Sequence, residues 1–260
     1  MYRFNIIITE ACNANCTHCY MGNNKSTKTM SKEDIDTIIS KVPDNTEKIV
    51  LTGGEIFLKR ELLLYTIKEI HKHNPKISIE LETNGIYLYK GKATAKEKLQ
   101  RLKELGVTSI RFSDDPFHEM GGVNLEKVRA IKQLEDESTP ILKYLVQEKA
   151  LAIGKAADLS EEYTENRDCM NNQQTVDNPY FFLDVSGNVY ICTWKCIPPI
   201  GNMIKEDMNT ILERLNEEFN SYILRGEILK AINLVSKDSD NSKFIKEHGE
   251  CMLCNKIFNK

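Results

Sequence analysis

The sequence predicts an α/β fold: a partial barrel of the (β/α)6 type over residues 1–155, then a small β-hairpin plus helix domain over residues 156–260. Three observations predict it. Short β-rich runs alternate with stretches of helical spacing as far as Glu148, the alternation then stops, and the rest of the chain opens on a hairpin pattern and closes on a Cys-x2-Cys pair.

The elements follow in order. RFNIIIT (3–9), KIVLT (48–52), ISIELET (77–83), VTSIRFS (107–113) and ILKYLVQE (141–148) read as strands. Between them, 31–42 is helical, with Ser31 and Asp34 as a capping box. So are 60–73, 94–106, which ends on Gly106 at a C′ position, and 124–137. Strand, helix, strand, helix implies a parallel sheet, whose chemistry sits at the C-terminal strand ends. Only about twenty residues separate Glu148 from Cys169, against ~30 for a further strand-and-helix unit, so the barrel is expected to be incomplete. YFFLDVSGNVYICTW (180–194) reads as a hairpin turning at Ser186-Gly187-Asn188, and 208–235 as one or two amphipathic helices. No repeat, low-complexity tract or flexible linker interrupts the chain, so the extension is expected to pack on the barrel.

Composition excludes several functions. Of 260 residues, 41% are apolar and 28% charged, with Lys+Arg 35 against Asp+Glu 38, so no basic field exists to hold nucleic acid. No segment approaches the ~18 apolar residues of a membrane span, and the N-terminus lacks a signal-peptide core; a cytoplasmic protein is expected, with no membrane partner. Eight cysteines are too dilute for a disulfide scaffold, and tight spacing among them then points to metal.

Cys12, Cys16 and Cys19 lie in EACNANCTHCY directly after the first strand. Three thiolates can hold a four-iron cluster with one iron left open, or zinc with a fourth ligand such as His18, or they can be structural thiols. The rest of the chain narrows this. Cys-x3-Cys-x2-Cys with His18 before the last cysteine resembles the signature of the radical S-adenosylmethionine (radical SAM) superfamily. Thr52-Gly53-Gly54-Glu55 after the second strand, Glu82-Thr83-Asn84-Gly85 after the third and Ser113-Asp114 after the fourth resemble that family's GGE, TNG and polar strand-end motifs. The resemblance covers roughly residues 1–155. It implies a 4Fe-4S cluster on Cys12, Cys16 and Cys19, and S-adenosylmethionine beside His18, Tyr20, Gly53, Gly54, Glu55, Thr83, Asn84, Ser113 and Asp114. Its chemistry is reductive cleavage to a 5′-deoxyadenosyl radical that abstracts a hydrogen atom from a substrate carbon, with electrons from a flavodoxin- or ferredoxin-type donor.

Each motif also has a plainer reading. Gly53-Gly54 and Asn84-Gly85 are common turn dipeptides, Glu55 suits a helix start, Pro116 bends the chain, and His118 suits an ordinary hydrogen bond.

Cys169, then Gly187-x4-Cys192, then Cys251-x2-Cys254 resembles the auxiliary-cluster region of twitch and SPASM members, in the shorter twitch form. The resemblance implies a second 4Fe-4S cluster on Cys169, Cys192, Cys251 and Cys254; the spacing alone also fits structural zinc. The long spacer before Gly187 leaves Cys169 the least secure ligand. Cys196 remains over, as a hydrogen-atom donor that would make the protein an epimerase, a substitute ligand for Cys169, or a bystander. The expected activity is oxidation or epimerisation of a sugar- or aminocyclitol-like small molecule or of a peptide. Cys12 lies so near residue 1 that a preceding peptide-recognition domain is not expected. The alternatives are a maturase of ribosomally made peptides and a non-catalytic cysteine-rich metal or electron-transfer protein.

Overall fold

The computed structural model describes residues 1–22, 26–165, 169, 174, 177–238 and 240–258. Its first strand, β1 (Tyr2–Thr9), alternates Arg3, Asn5 and Ile7 with the fully buried Phe4, Ile6 and Ile8. The same period of two runs through β2 (Thr46–Gly53), β3 (Ser78–Thr83), β4 (Val107–Ser113) and β5 (Ile141–Leu145). Each strand thus gives one face to covering helices and the other to the barrel interior. The helices are α1 (Lys32–Ser40), α2 (Arg60–His73), α3 (Lys92–Glu104), the short α4 (Pro116–Met120) and α5 (Leu125–Lys132). Their apolar stripes, such as Leu63, Ile67 and Ile70 of α2, are buried.

All five strands are parallel, in chain order. The capping box forms as expected: Asp34 N donates to Ser31 Oγ (3.0 Å) and Ser31 N to the Asp34 carboxylate (2.9 Å). Gly106, at φ 96°, follows the C-cap of α3. α5 stops at Lys132, short of residue 137, because Asp136 folds a turn of its own, accepting from Ser138 N (2.9 Å) while Asp136 N donates to Thr139 Oγ1 (3.0 Å).

Beyond β5 lie two paired two-residue strands, β6 (Ala150–Leu151) and β7 (Thr164–Glu165), with a 3-10 turn at Gly154–Asp158 between them. The expected hairpin is β8 (Tyr180–Leu183) and β9 (Asn188–Tyr190), joined through Asp184–Gly187. Its first strand also runs parallel to β1, with Arg3 opposite Tyr180 and Ile6 opposite Leu183. With β10 (Gly201–Asn202), the sheet order is β10-β9-β8-β1-β2-β3-β4-β5. The sixth parallel strand therefore comes from the extension and covers the free edge of β1.

Residues 208–235 form three short helices, α6 (Met208–Glu213), α7 (Glu218–Leu224) and α8 (Ile228–Val235), where one or two were expected. A 3-10 turn at Arg214–Asn216 and Gly226 at φ 70° supply the breaks. α9 (Asn241–His248) and α10 (Glu250–Phe258) complete the chain, and one apolar core runs from Phe4 and Leu51 through Ile232 to Leu253. No helix among the described residues is long and apolar enough to cross a membrane.

Candidate active site

Aliphatic layers fill the interior of an ordinary closed barrel. Here Arg3, Asn5, Thr52, Glu82, Arg111 and Tyr180 line a cavity of about 1670 Å³ instead. Charged side chains in such a place demand partners or a polar ligand. Arg111 is also bonded to the fully buried Glu80, which accepts from Ser109 Oγ (2.8 Å) and Lys143 as well and lies 3.6 Å from Lys48. Burial alone would raise the Glu80 carboxyl, but the bonds from Lys143 and Ser109 and the charges of Arg111 and Lys48 hold it below its usual range. Arg111 also donates to Glu82 (2.8 Å), whose carboxyl burial pushes up. Sequence reasoning did not single out these interior residues. The signal was present: SIELET and VTSIRFS alternate charged with apolar positions, placing Glu80, Glu82 and Arg111 on a face that a packed barrel could not accept.

Cys12, Cys16 and Cys19 all line the mouth of this cavity. Their loop hangs on its neighbours: Glu55 N donates to Ala11 O (2.8 Å), Asn15 N to Gly121 O (2.9 Å) and Lys155 N to Cys19 O (3.0 Å). Gly53-Gly54 is more than a turn. A Cβ on Gly54 would lie 2.5 Å from both Glu10 O and Ala11 O, and one on Gly121 would lie 2.6 Å from Cys16 N, so only glycine lets these backbones meet. Burial, then the neighbouring Cys12 and Cys19, push the Cys16 thiol up to about 12. Burial raises Cys12 as well. Three thiols that line one cavity suit a cationic metal centre, whose charge would reverse that penalty.

Glu55 is buried and lies outside the cavity lining. Its carboxylate accepts from Phe57 N (3.0 Å), Asn84 N (2.9 Å) and Thr83 Oγ1 (2.8 Å), capping the 3-10 helix Ile56–Lys59 and tying two strand ends together. This cap is the helix-start geometry that its plainer reading describes. Thr83 and Asn84 line the cavity, with Asn84 Nδ2 donating to Asn13 Oδ1 (2.9 Å). Ser113 faces the cavity, whereas Asp114 lies outside the lining and pairs with Arg129 (2.8 Å). Tyr20 lines the cavity against Trp194, ring centroids 5.8 Å apart. His18 stacks on Phe117 at 4.8 Å; burial and then His118 lower it to about 4. His118 Nδ1 lies 2.8 Å from Asp115 Oδ2, the ordinary hydrogen bond expected for it, and Pro116 occupies the first turn of α4. The grouping of His18, Asp115 and His118 escaped the sequence reading, although an Asp-Pro-x-His cap is its local signal.

The remaining cysteines gather in the extension. Cys192, Cys196, Cys251 and Cys254 are buried, and Cys169 is half-buried. The Cys196 thiol bonds to Cys192 and feels Cys251 and Cys254; Cys254 feels Cys192 and Cys169. The Cys196 bond, with backbone N–H groups of Cys196, Trp194 and Lys195, outweighs burial and lowers Cys192 to about 7. Burial and neighbouring sulfurs raise Cys254, and the Cys192 bond followed by burial raises Cys196. Such a donor set fits a thiolate-held metal centre. Thr193, Trp194 and Lys195 line the cavity but Cys196, 1% exposed, does not. Of the three roles the sequence left open for Cys196, that of hydrogen donor requires reach to a substrate from this buried position.

The structure thus has an open barrel of parallel strands, with three thiols on the loop after its first strand and a cavity of mixed polarity beside them. The radical SAM superfamily model matches residues 6–146, more than half of the chain, and the chain belongs to that superfamily, whose members use S-adenosylmethionine and a 4Fe-4S cluster. Curated relatives include GTP 3',8-cyclase of Pasteurella multocida, 31% identical over 134 residues (47% of this chain, 37% of that protein). GTP 3',8-cyclase of Paenarthrobacter nicotinovorans is 30% identical over 118 residues (43% and 31%). The chain spans about a third of the length of these relatives. Among solved structures, BtrN in complex with AdoMet and 2-DOIA superposes with a TM-score of 0.63 at 18% identity, covering 88% of this chain and 89% of that one. Native anSMEcpe with bound AdoMet and Cp18Cys peptide gives 0.61 at 15% identity, covering 95% and 88%. At these identities the likeness is one of fold.

Proposed function

We propose that this chain abstracts a hydrogen atom from a carbon of a small-molecule, sugar- or aminocyclitol-like, or peptide substrate held in the barrel cavity, and that the outcome is oxidation. The observation that carries the reading is the trio Cys12, Cys16 and Cys19 lining a large cavity that also holds Arg3, Asn5, Glu82 and Arg111. These thiols would hold the 4Fe-4S cluster, and Gly53, Gly54, Thr83, Asn84, Ser113, His18 and Tyr20 would wall the S-adenosylmethionine, with Glu55 bracing two of the walls and Asp114 behind them. Held by these residues, the cofactors would supply 5′-deoxyadenosyl radical chemistry, with the electron expected from a flavodoxin- or ferredoxin-type donor.

The chain's own residues orient the substrate. Arg3, Asn5, Glu82, Arg111 and Tyr180 offer both signs of charge and hydroxyl contacts, which suits a polyhydroxylated or amino-bearing molecule. Residues 156–260 would form an auxiliary-cluster domain, for which the sequence marks Cys169, Cys192, Cys251 and Cys254, beside the barrel of residues 1–155. Oxidation is favoured over epimerisation because the lining contains no cysteine beyond Cys12, Cys16 and Cys19 among the described residues. The likeness to BtrN with bound 2-DOIA and to anSMEcpe with a bound peptide keeps both substrate classes. The test is Cys16→Ala, reconstituted anaerobically and reduced with dithionite: it should form no 5′-deoxyadenosine while keeping its circular dichroism. Appreciable 5′-deoxyadenosine would end the assignment of the loop.

A further inference from the structure

We infer that Arg3 is a specificity-determining residue that binds an anionic group of the substrate, and that the molecule held in the cavity therefore carries a carboxylate or a phosphate. This rests on the reading that the barrel cavity holds the substrate, and it narrows that reading from polar molecules in general to acidic ones.

β1, β3 and β4 give the cavity three charged side chains, Arg3, Glu82 and Arg111. Two of them answer each other. Arg111 pairs with Glu82 (2.8 Å) and with Glu80 behind it, so its charge is covered. Glu82 also accepts from Thr52 and Asn5, and Asn5 reaches Tyr180 as well. Arg3 stands outside this network. Among the described residues its guanidinium has no ion pair and no hydrogen bond, and its Nε is shut off from solvent without a partner. What approaches it is an aromatic face: Cζ of Arg3 lies over the Tyr180 ring, 5.3 Å from the centroid, where the pairing of β8 with β1 sets the two residues opposite each other. A ring steadies the cation but leaves its N–H donors without an acceptor. A buried donor in that state is costly, and a free guanidinium fork matches the two oxygens of a carboxylate or phosphate. Arg3, Asn5 and Ile7 line the cavity in steps of two along β1, and Arg3 lies near the end of the strand remote from the thiol loop. At about 3.3 Å per residue, it is about 20 Å along the strand from Thr9. The oxyanion is thus a handle, held apart from the reacting carbon.

The test uses the full chain, reconstituted anaerobically, with S-adenosylmethionine and no reductant, and three sugars of one shape as probes: glucose 6-phosphate, glucuronate and glucose. In calorimetric titration one or both acidic sugars should bind about tenfold or more tighter than neutral glucose. Which of them does so separates a phosphate from a carboxylate. Arg3→Gln should bring acidic and neutral sugars within about threefold of each other, and Arg3→Lys, which keeps the charge but not the fork, should fall between. A merely structural role would weaken all three sugars alike. Equal affinities in the wild type, no binding of any of the three, or a preference that survives Arg3→Gln overturns the assignment of Arg3. If Arg3→Gln does not fold by circular dichroism, Arg3→Lys decides: a preference as large as that of the wild type overturns the assignment. Dithionite added to the wild type tests the wider reading separately, since a preference for acidic sugars without any 5′-deoxyadenosine keeps the anion site and overturns the radical chemistry.

Discussion

Two buried carboxylates of this protein sit in opposite surroundings. Glu55 meets only neutral donors, and burial pushes its carboxyl up, with the bonds from Phe57, Asn84 and Thr83 opposing. Glu80 is ringed by Lys48, Arg111 and Lys143, and its carboxyl lies below the ordinary range. A depressed folded pKa gives stability that is fully present above the unfolded value, about 4.3, and is lost as pH falls through the folded value. Glu80 therefore predicts acid lability. Glu80→Gln should cost on the order of 2–3 kcal/mol near neutral pH, since it leaves three partly exposed cations around a neutral group, and should flatten the fall in stability on acidification. Urea midpoints of the two proteins measured near neutral pH and in acid check this; parallel pH dependences would refute it.

At the scale of elements, the loop that carries Cys12, Cys16 and Cys19 is shaped by what leans on it. Gly54→Ala would put a methyl group against two carbonyl oxygens, so the loop must move. The expected result is loss of cluster iron from that loop and of 5′-deoxyadenosine formation, with helix and strand content unchanged by circular dichroism. Full iron content would show that the loop tolerates the shift. The five strands and their helices were legible because period two and period 3.6 are local, and because Ser31 and Gly106 punctuate them. The pairing of β8 with β1 was not: a four-residue strand names no partner, and hairpin patterning accounts for only one of its edges. Three thiols in eight residues announced themselves as a metal loop. The position of Cys196 did not, since it follows from the backbone of Lys195 and from helix α10, more than fifty residues downstream. The interior charges were visible as alternation, but without the cavity they read as solvent-facing positions.

Over the whole molecule, one turn serves both sites: Thr193, Trp194 and Lys195 line the cavity, and the cysteines flanking them belong to the thiol group. Changing both Cys251 and Cys254 to Ala should empty the extension of metal and loosen it. Amide exchange of residues 180–258 should accelerate at least tenfold, while β2, β3 and β4 keep their protection. Equal acceleration in both regions would mean that the molecule opens as a single unit. The same continuity bears on how the chain is made. β1 leaves the ribosome long before β8, its partner on one side, which is synthesised roughly 170 residues later. At about 5–20 residues per second, that interval is about 10–30 s, during which an apolar parallel strand offers an unpaired edge to any other nascent chain. The hazard to this protein is thus greatest during translation, and its yield should depend on elongation rate and on chaperones that shield that edge until Tyr180–Leu183 arrives.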